Sequence, residues 1–117
     1  MNAADPAAQR NARAHRYLEE SRGDLAIPLF EEELAHRREA LGPDHPDALT
    51  AQSNLATAYQ AACRHHEAIN LFKDTLEVCE EALSPDHPLT IQVRRNLKAL
   101  EREMNPAPAS SPESSEE

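Results

Sequence analysis

The tetrapeptide Pro-Asp-His-Pro occurs twice in this chain, at 43–46 and at 85–88, and the flanking sequence repeats with it at the same offset of 42 residues. The matched apolar positions include Ala26 with Ala68, Phe30 with Phe72, Leu34 with Leu76 and Leu55 with Leu97. Self-similarity at a period of this size marks a repeat protein, whose units bury their apolar faces only by stacking on one another. Chains of this kind are binding surfaces far more often than enzymes. The repeat therefore constrains the kind of protein, and it leaves the ligand open.

The composition favours helices for the repeated units. At 117 residues the chain has room for one domain. Aromatic residues make up only 3% and tryptophan is absent, so the core must be built mainly from leucine, alanine and isoleucine. Such a core suits closely packed helices better than a β-sandwich, which favours β-branched and aromatic residues. We therefore predict an all-α fold.

The charge and the hydropathy of the chain exclude several classes of partner. A formal net charge of −9 argues against non-specific nucleic-acid binding, which needs a basic surface. No apolar run approaches the ~20 residues of a membrane span, and the segment 1–12 lacks the apolar stretch of a secretory signal. We expect a cytoplasmic protein without nucleic-acid or membrane partners, in which Cys63 and Cys79 are reduced thiols.

The spacing of apolar residues predicts five helices separated by short turns. Their predicted bounds are 6–21, 25–41, 46–62, 67–83 and 88–104. Residues 1–5 are predicted to be disordered. The segment 105–117 consists mostly of Pro, Ala, Ser and Glu, which cannot offset the entropy of ordering, and we predict a disordered acidic tail. Its three glutamates are expected to compete weakly with an acidic ligand for a basic surface of the same chain.

The turns that carry the repeated tetrapeptide have recognisable backbone chemistry. Gly42 suits the left-handed conformation that comes after a helix end, and Pro43 prevents the helix from continuing. His45 precedes a proline and is biased towards the extended geometry of an N-cap residue, while Pro46 fits the first helical position. The second copy of this linker has Ser84 in place of the glycine.

The second helix is predicted from its N-terminal residues and its apolar face. Asp24 is a good N-cap residue. Pro28 then lies at about the fourth helical position, where its missing N–H removes no intrahelical hydrogen bond. The consecutive glutamates 31–33 spread around the helix, so we expect a solvated face there. At the ends of the second and fourth helices, Leu41 and Leu83 are expected to point inward.

A Leu-Ala-x-x-Tyr run at 55–59, with Ala68 and Phe72 on the next helix, matches the tetratricopeptide pattern. With its 42-residue period, the chain resembles the repeats of kinesin light chains and of many bacterial proteins of that type. Ten arginines against two lysines fit a high-GC bacterial source. The resemblance covers about residues 10–104. It implies a right-handed superhelix of two helix-turn-helix repeats plus a C-terminal capping helix. The first helix of each repeat, the A helix, would line a concave groove, and the second, the B helix, would form the convex back.

Several positions depart from the family pattern. Arg13 replaces the leucine of the other two A helices, so the first repeat is degenerate and this position is expected to face solvent. Glu101 replaces the tyrosine, which marks the last helix as a terminal half-repeat. Ser21 and Cys63 occupy a turn position where the family often has glycine. Because two and a half repeats give limited burial, a homodimer that extends the stack is an alternative to a monomer.

No group of residues predicts catalysis, a metal site or a cofactor. His65 and His66 are adjacent and would point about 100° apart on a helix, so they cannot share an ion without a distorted turn. His45 and His87 have a sufficient structural role as N-cap residues before proline. The chain has two glycines and lacks the zinc-protease, nucleophile-elbow and phosphate-loop motifs. We predict that the protein is not an enzyme and holds no metal.

Charge is divided between the two kinds of helix. The B helices are acidic, with a net charge of −3 over 24–41 and −4 over 66–83, whereas the first and last A helices each carry +2. An electropositive groove on an acidic protein would attract an acidic peptide. The alternative is that the terminal helices are charged merely to stay soluble.

The resemblance also assigns polar residues to the groove. They are Asn11, His15, Ser53, Asn54, Thr57, Gln92, Arg95, Asn96 and Arg102. Asn54 and Asn96 are one repeat apart, and each amide offers a donor and an acceptor, so that together they can hold an extended backbone whatever its sequence. The alternative role is hydrogen bonding between helices. We predict a non-catalytic adaptor that binds an extended, acidic peptide or protein segment. The alternative function is structural, as a self-associating homodimer or the cap of a larger assembly.

Overall fold

The computed structural model describes residues 6–104, which form five consecutive antiparallel helices. They are α1 (Pro6–Glu19), α2 (Gly23–Leu41), α3 (Pro46–Ala61), α4 (His65–Ala82) and α5 (Pro88–Met104). Sequential helices pack on each other, and α3 also contacts α5. The described residues contain no strand, and the expected all-α architecture of two helix pairs and a further helix is confirmed. The predicted disorder of 1–5 and 105–117 lies outside the described residues.

The turns inside the two repeats are tighter than predicted. The N–H groups of Ser21 and Arg22 donate to the carbonyls of Leu18 and Tyr17, at 3.0 and 2.7 Å. Residue 21 has a φ of 59°, and this arrangement is a Schellman motif. The same bonds recur one repeat later around Cys63, whose φ is 64°. The left-handed residue is therefore a serine or a cysteine where glycine would be unstrained.

This turn corrects the predicted start of the second helix. Because the Schellman motif ends at Arg22, α2 begins at Gly23, and Asp24 lies in the first turn and is not the N-cap residue. Pro28 is consequently the sixth helical residue, not the fourth. Its missing N–H leaves the carbonyl of Asp24 without the usual intrahelical donor. Both residues are exposed, so that water can solvate this carbonyl.

The linkers with the repeated tetrapeptide behave as predicted. The Nδ1 atom of His45 accepts a hydrogen bond from the N–H of Asp47 at 3.0 Å, and His87 does the same for Leu89 at 3.0 Å. Gly42 has a φ of 97°, and Ser84, its counterpart, has a φ of 125°. The histidines therefore cap α3 and α5.

Two apolar clusters form the core, and α3 contributes to both. Phe30 is fully buried in the first cluster, with Leu55 from α3. Phe72 is fully buried in the second cluster, which Leu49 and Ala56 join from the other side of α3. The middle helix is thus covered by both of its neighbours in the sequence. Contrary to the prediction, Leu41 lies outside these clusters and is 44% exposed. Leu83 is half-buried and packs against the second cluster, as predicted.

A further correction concerns the glutamates at 31–33. Glu33 is 4% exposed and forms ion pairs with Arg10 of α1, at 2.9 Å, and with Arg37 one turn further along α2. Arg10 also reaches Glu32 at 3.1 Å. The expectation of a wholly solvated face was wrong, because the position of Glu33 on α2 turns it towards α1, where arginines compensate its burial.

Candidate peptide-binding surface

The middle A helix places three of the predicted groove residues next to one another. Ser53 is 6% exposed, and its carbonyl accepts a hydrogen bond from the hydroxyl of Thr57 at 3.1 Å. This i−4 bond is common for helical threonines and satisfies the Thr57 donor. Asn54 is half-buried. Ser53 is therefore largely closed to a ligand, and Asn54 is the more accessible of the two.

Three of the four predicted α5 residues lie together in one shallow depression. Gln92, Arg95 and Asn96 line a surface concavity of about 530 Å³, with Pro88 and Ile91 at its edge. Gln92 and Arg95 are exposed, and Asn96 is half-buried, as Asn54 is on α3. Because α3 and α5 are in contact, the predicted residues of these two helices belong to neighbouring elements.

The two repeated asparagines keep their amides available. Within residues 6–104, the side chains of Asn54 and Asn96 form no hydrogen bond. Two other side chains of α3 do form one: Thr57 donates to the carbonyl of Ser53, and Gln52 accepts from Arg38 at 2.8 Å. The alternative role considered for the asparagines, a hydrogen bond between helices, is thus not used in this part of the chain.

Arg102 lies in a different depression from the amides. This second concavity, of about 310 Å³, is lined only by α5 residues, namely Ile91, Arg94, Arg95, Lys98, Ala99 and Arg102. Arg95 borders both concavities. Ile91 lines both as well, so two residues join the amide-bearing depression to a row of positive charges.

The α1 residues line neither of these depressions. Asn11 is half-buried, and its Oδ1 atom is buried without a hydrogen-bond partner among the described residues. The ring of His15 packs edge-on against Phe30, with 5.2 Å between the ring centroids. Arg10 is paired with glutamates of α2. Arg10 is therefore engaged within the chain, whereas Arg13 and Arg16 of α1 are exposed. The cations that line these two depressions all belong to α5.

The described residues hold no cluster of three or more potential metal ligands. Burial raises the pKa of the Cys79 thiol, which keeps it protonated and unreactive. The Tyr59 phenol, near the turn between α3 and α4, has a pKa that burial and the nearby Glu31 carboxylate raise. Among the described helices, none has the length and apolarity that a bilayer crossing requires.

Comparison with known families identifies the family to which this chain belongs. The family model described as tetratricopeptide repeat matches residues 6–81 and 47–111. The chain therefore belongs to the tetratricopeptide repeat family, and its helices form a tetratricopeptide superhelix. Repeats of this family generally mediate protein–protein interactions and are generally non-catalytic.

Two solved structures of one putative kinesin light chain are similar to this chain. A putative kinesin light chain from Podosopora anserina, with nearly identical TPR-like repeats, has a TM-score of 0.74 and 25% identity over 89% of this chain. A single-substitution variant of it has a TM-score of 0.74 and 24% identity over 90%. This chain spans about half the length of those structures, 50% in each case. The kinesin-light-chain-like character of the repeats is confirmed. No curated protein matches the sequence.

Sequence reasoning missed several residues of this surface, among them Ile91, Arg94 and Lys98. For Lys98 the repeat contained a signal. Shifting Ile91 and Lys98 back by 42 positions gives Leu49 and Ala56, which are buried. A position that is apolar in one repeat and cationic in the next indicates that a neighbouring helix covers it in the first repeat and leaves it exposed in the second.

Proposed function

We propose that this chain is a non-catalytic adaptor that binds an extended, acidic peptide or protein segment along its A helices. The observation that carries the proposal is the pair of amides on Asn54 and Asn96. They recur one repeat apart on α3 and α5, which are in contact, and neither is engaged by another side chain or backbone group within residues 6–104.

Amides in this arrangement suit a peptide backbone. A carboxamide donates through its NH₂ group and accepts through its oxygen, so it can bond to both the carbonyl and the N–H group of a bound chain. The contacts involve no ligand side chain, and they tolerate different ligand sequences. Gln92, in the same depression as Asn96, adds a third amide. Thr57 would border this surface from α3, next to the largely buried Ser53, and Asn11 and His15 would extend it at α1.

The preference for an acidic ligand comes from α5. Arg95 is exposed and lies in the same depression as Asn96, and Arg102 lies in the adjoining one. Since the chain has a net charge of −9, most of its surface repels an acidic segment. The positive potential near α5 therefore orients the ligand and speeds its association.

The other parts of the proposal derive from this binding role. It requires no catalytic residue, metal or cofactor, and it involves neither nucleic acid nor a membrane. The proposed location is the cytoplasm. Self-association is less favoured as a function. The exposed Ile91 would be the natural contact, but the cations around it would repel the same face of a second copy.

The test is a measurement of peptide binding with one double variant. A library of extended peptides, graded from acidic to basic, is screened against the full chain, and the dissociation constant of the best binder is measured by calorimetry. The variant Asn54→Ala/Asn96→Ala is expected to bind at least about fivefold more weakly, because each amide loses one or two hydrogen bonds of about 0.5–1.5 kcal/mol.

Asn70→Ala is the matched control, because Asn70 is an exposed asparagine on the B helix α4. It should leave the dissociation constant unchanged. If the double variant binds as tightly as the unmodified chain, or if basic peptides are preferred to acidic ones, the proposal is refuted.

A further inference from the structure

One side of α5 has no covering helix among the described residues. It is formed by Ile91, Arg94, Arg95, Lys98 and Arg102, and we call it the α5 cationic face. Ile91 is 39% exposed, one of two large hydrophobic residues that are exposed in the described part of the chain. The face also contains the concavity of about 310 Å³.

The same face is covered in both complete repeats. On α3, the counterparts of Ile91 and Lys98 are Leu49 and Ala56, which are 1% and 0% exposed and belong to the cluster around Phe72 of α4. On α1, the counterpart of Lys98 is Ala14, which is 0% exposed and belongs to the cluster around Phe30 of α2. In each repeat the covering element is the next B helix along the chain.

On α1, where the equivalent face is covered, glutamates of the covering helix pair with an arginine. Arg10 is the counterpart of Arg94 at twice the repeat offset, and it pairs with Glu32 and Glu33 of α2. Both covering helices are acidic, with net charges of −3 over 24–41 and −4 over 66–83. An acidic helix over a cationic A helix is therefore an arrangement that this fold already contains.

The cations of the α5 cationic face are largely unpaired. Arg94 donates to Glu80 at 3.2 Å and to the carbonyl of Pro85 at 3.4 Å. Within residues 6–104, Arg95, Lys98 and Arg102 form no ion pair. None of the residues that line the concavity is acidic. The positive charge is thus concentrated beside an exposed isoleucine on a protein that is otherwise acidic.

We infer that the α5 cationic face binds an acidic amphipathic helix of a partner protein, in the place that a B helix occupies in the complete repeats. Apolar residues of this helix contact Ile91 and Ala99, and its carboxylates pair with Arg95, Lys98 and Arg102. This site adjoins the amide surface of the proposed function, and Ile91 and Arg95 border both.

Lys98 favours an acidic partner helix over an ordinary apolar B helix at this position. Ala14 and Ala56 are small and fully buried, which lets the covering helix approach α1 and α3 closely. A lysine at the same position holds a covering helix further away and brings an ammonium group to the contact. A partner that supplies a carboxylate there satisfies this group, whereas an ordinary apolar B helix would bury it unpaired.

Other occupants fit this face less well. A second copy presenting its own α5 cationic face would bring like charges together. The segment 105–117 is acidic, but it contains three prolines and no apolar residue larger than alanine apart from them, and proline disfavours a helix.

The experiment uses the full chain and three labelled probes, with binding measured by fluorescence anisotropy. The first is a peptide as long as α4 (18 residues), with leucine at helical spacing and glutamate on the opposite face. The second has the same composition in scrambled order, and the third is a single-stranded oligothymidine. We expect the amphipathic peptide to bind best and to lose affinity as the salt concentration rises.

Two charge-matched variants locate the site. Lys98→Glu/Arg102→Glu should weaken binding of the amphipathic peptide about tenfold or more. Arg13→Glu/Arg16→Glu makes the same change of charge at exposed positions of α1 and should have less than about a twofold effect. The Ile91 methyl signals in NMR spectra should shift on binding. Asn54→Ala/Asn96→Ala should leave this binding intact, which separates the inference from the proposed function.

Five outcomes would overturn the inference. The amphipathic peptide could bind the unmodified chain and Lys98→Glu/Arg102→Glu equally, or not bind at all. Oligothymidine could bind more tightly than the peptide, which would assign the face to nucleic acid. A concentration-dependent doubling of mass that this variant abolishes would assign it to a second copy. Peptide binding that occurs only after removal of 105–117 would assign it to the chain's own C-terminal segment.

Discussion

The two terminal A helices, α1 and α5, carry similar charge and present it very differently. Over the described bounds, α1 has three arginines and one glutamate, and α5 has four basic and two acidic residues, so that each carries +2. On α1, Arg10 is held between Glu32 and Glu33 of α2. On α5, the cations surround an open concavity. The net charge of a helix therefore does not tell which of its charges a ligand can reach.

The difference arises from the presence or absence of a covering B helix in the described structure. A B helix lies directly after α1 and covers one side of it, so a glutamate and an arginine that are distant in the sequence become a partly buried pair. The matching side of α5 has no such helix among residues 6–104. Its other side packs into the core, with Val93, Leu97 and Leu100 buried. Thus α5 is closed on one side and open on the other.

The sharpest test of this contrast uses one repeat position. Leu97 of α5 is 7% exposed, and its counterpart on α1 is the exposed Arg13. Leu97→Ala should lower the free energy of unfolding by about 2–5 kcal/mol, because it leaves a cavity in the second cluster. Arg13→Ala should change it by less than about 0.5 kcal/mol. Chemical denaturation measures both, and equal costs would show that the two ends are packed alike.

The next test concerns the ion pairs that hold α1 against α2. Glu33→Gln should cost about 1–3 kcal/mol, because Arg10 and Arg37 lose their shared carboxylate, and both arginines are partly exposed, which limits the loss. Glu80→Gln removes an exposed pair to Arg94 on the α5 side and should cost less than about 1 kcal/mol. Thermal denaturation of both variants at low and high salt compares the two ends directly. A greater loss from the Glu80 variant would reverse the comparison.

A smaller effect is expected at the start of α5. His87→Ala leaves the N–H of Leu89 without its imidazole acceptor and should cost about 1 kcal/mol, as other N-cap deletions do. His87→Asp, which keeps an acceptor, should restore most of the stability. His45→Ala, at the start of α3, removes the same bond to Asp47 and serves as the internal comparison. Should both alanine variants retain full stability in urea denaturation, the caps contribute nothing measurable.

The smallest effect is a gain in stability. Ser84 has a φ of 125°, in the region that favours glycine, and its counterpart Gly42 has a φ of 97°. Ser84→Gly should raise the free energy of unfolding by about 0.5–1 kcal/mol by removing this strain. Gly42→Ser should lower it by a similar amount. The melting temperatures of the two variants therefore should move in opposite directions, and a shift of both in the same direction would contradict this account.

Most of the fold could be predicted from the sequence because its determinants are local. The linker histidines, the prolines after them and the left-handed position at Gly42 act within a few residues, and each was found where it was expected. The start of α2 was predicted less well. It depends on Schellman bonds that reach back to Tyr17 and Leu18, and a serine at the left-handed position gives a weaker signal than glycine.

The candidate site was predictable only in part. The repeat spacing identified Asn54 and Asn96, and the two lie on contacting helices as the family pattern implies. Their role in binding stays a prediction. The spacing did not show that Ser53 is buried or that Arg10 is paired with α2, because both depend on residues far along the chain.

By itself, then, the sequence determined the period, the helices and the residues that start and end most of them, since backbone preferences and apolar spacing act over short distances. Only the tertiary structure decided which charged residues are neutralised and which stay open. Glu33 is one of three similar glutamates in the sequence, and packing against α1 makes it a buried ion-pair partner. Lys98 and Arg102 stay accessible because no described helix covers that side of α5, and the energy of a charge depends on its solvent and its neighbours.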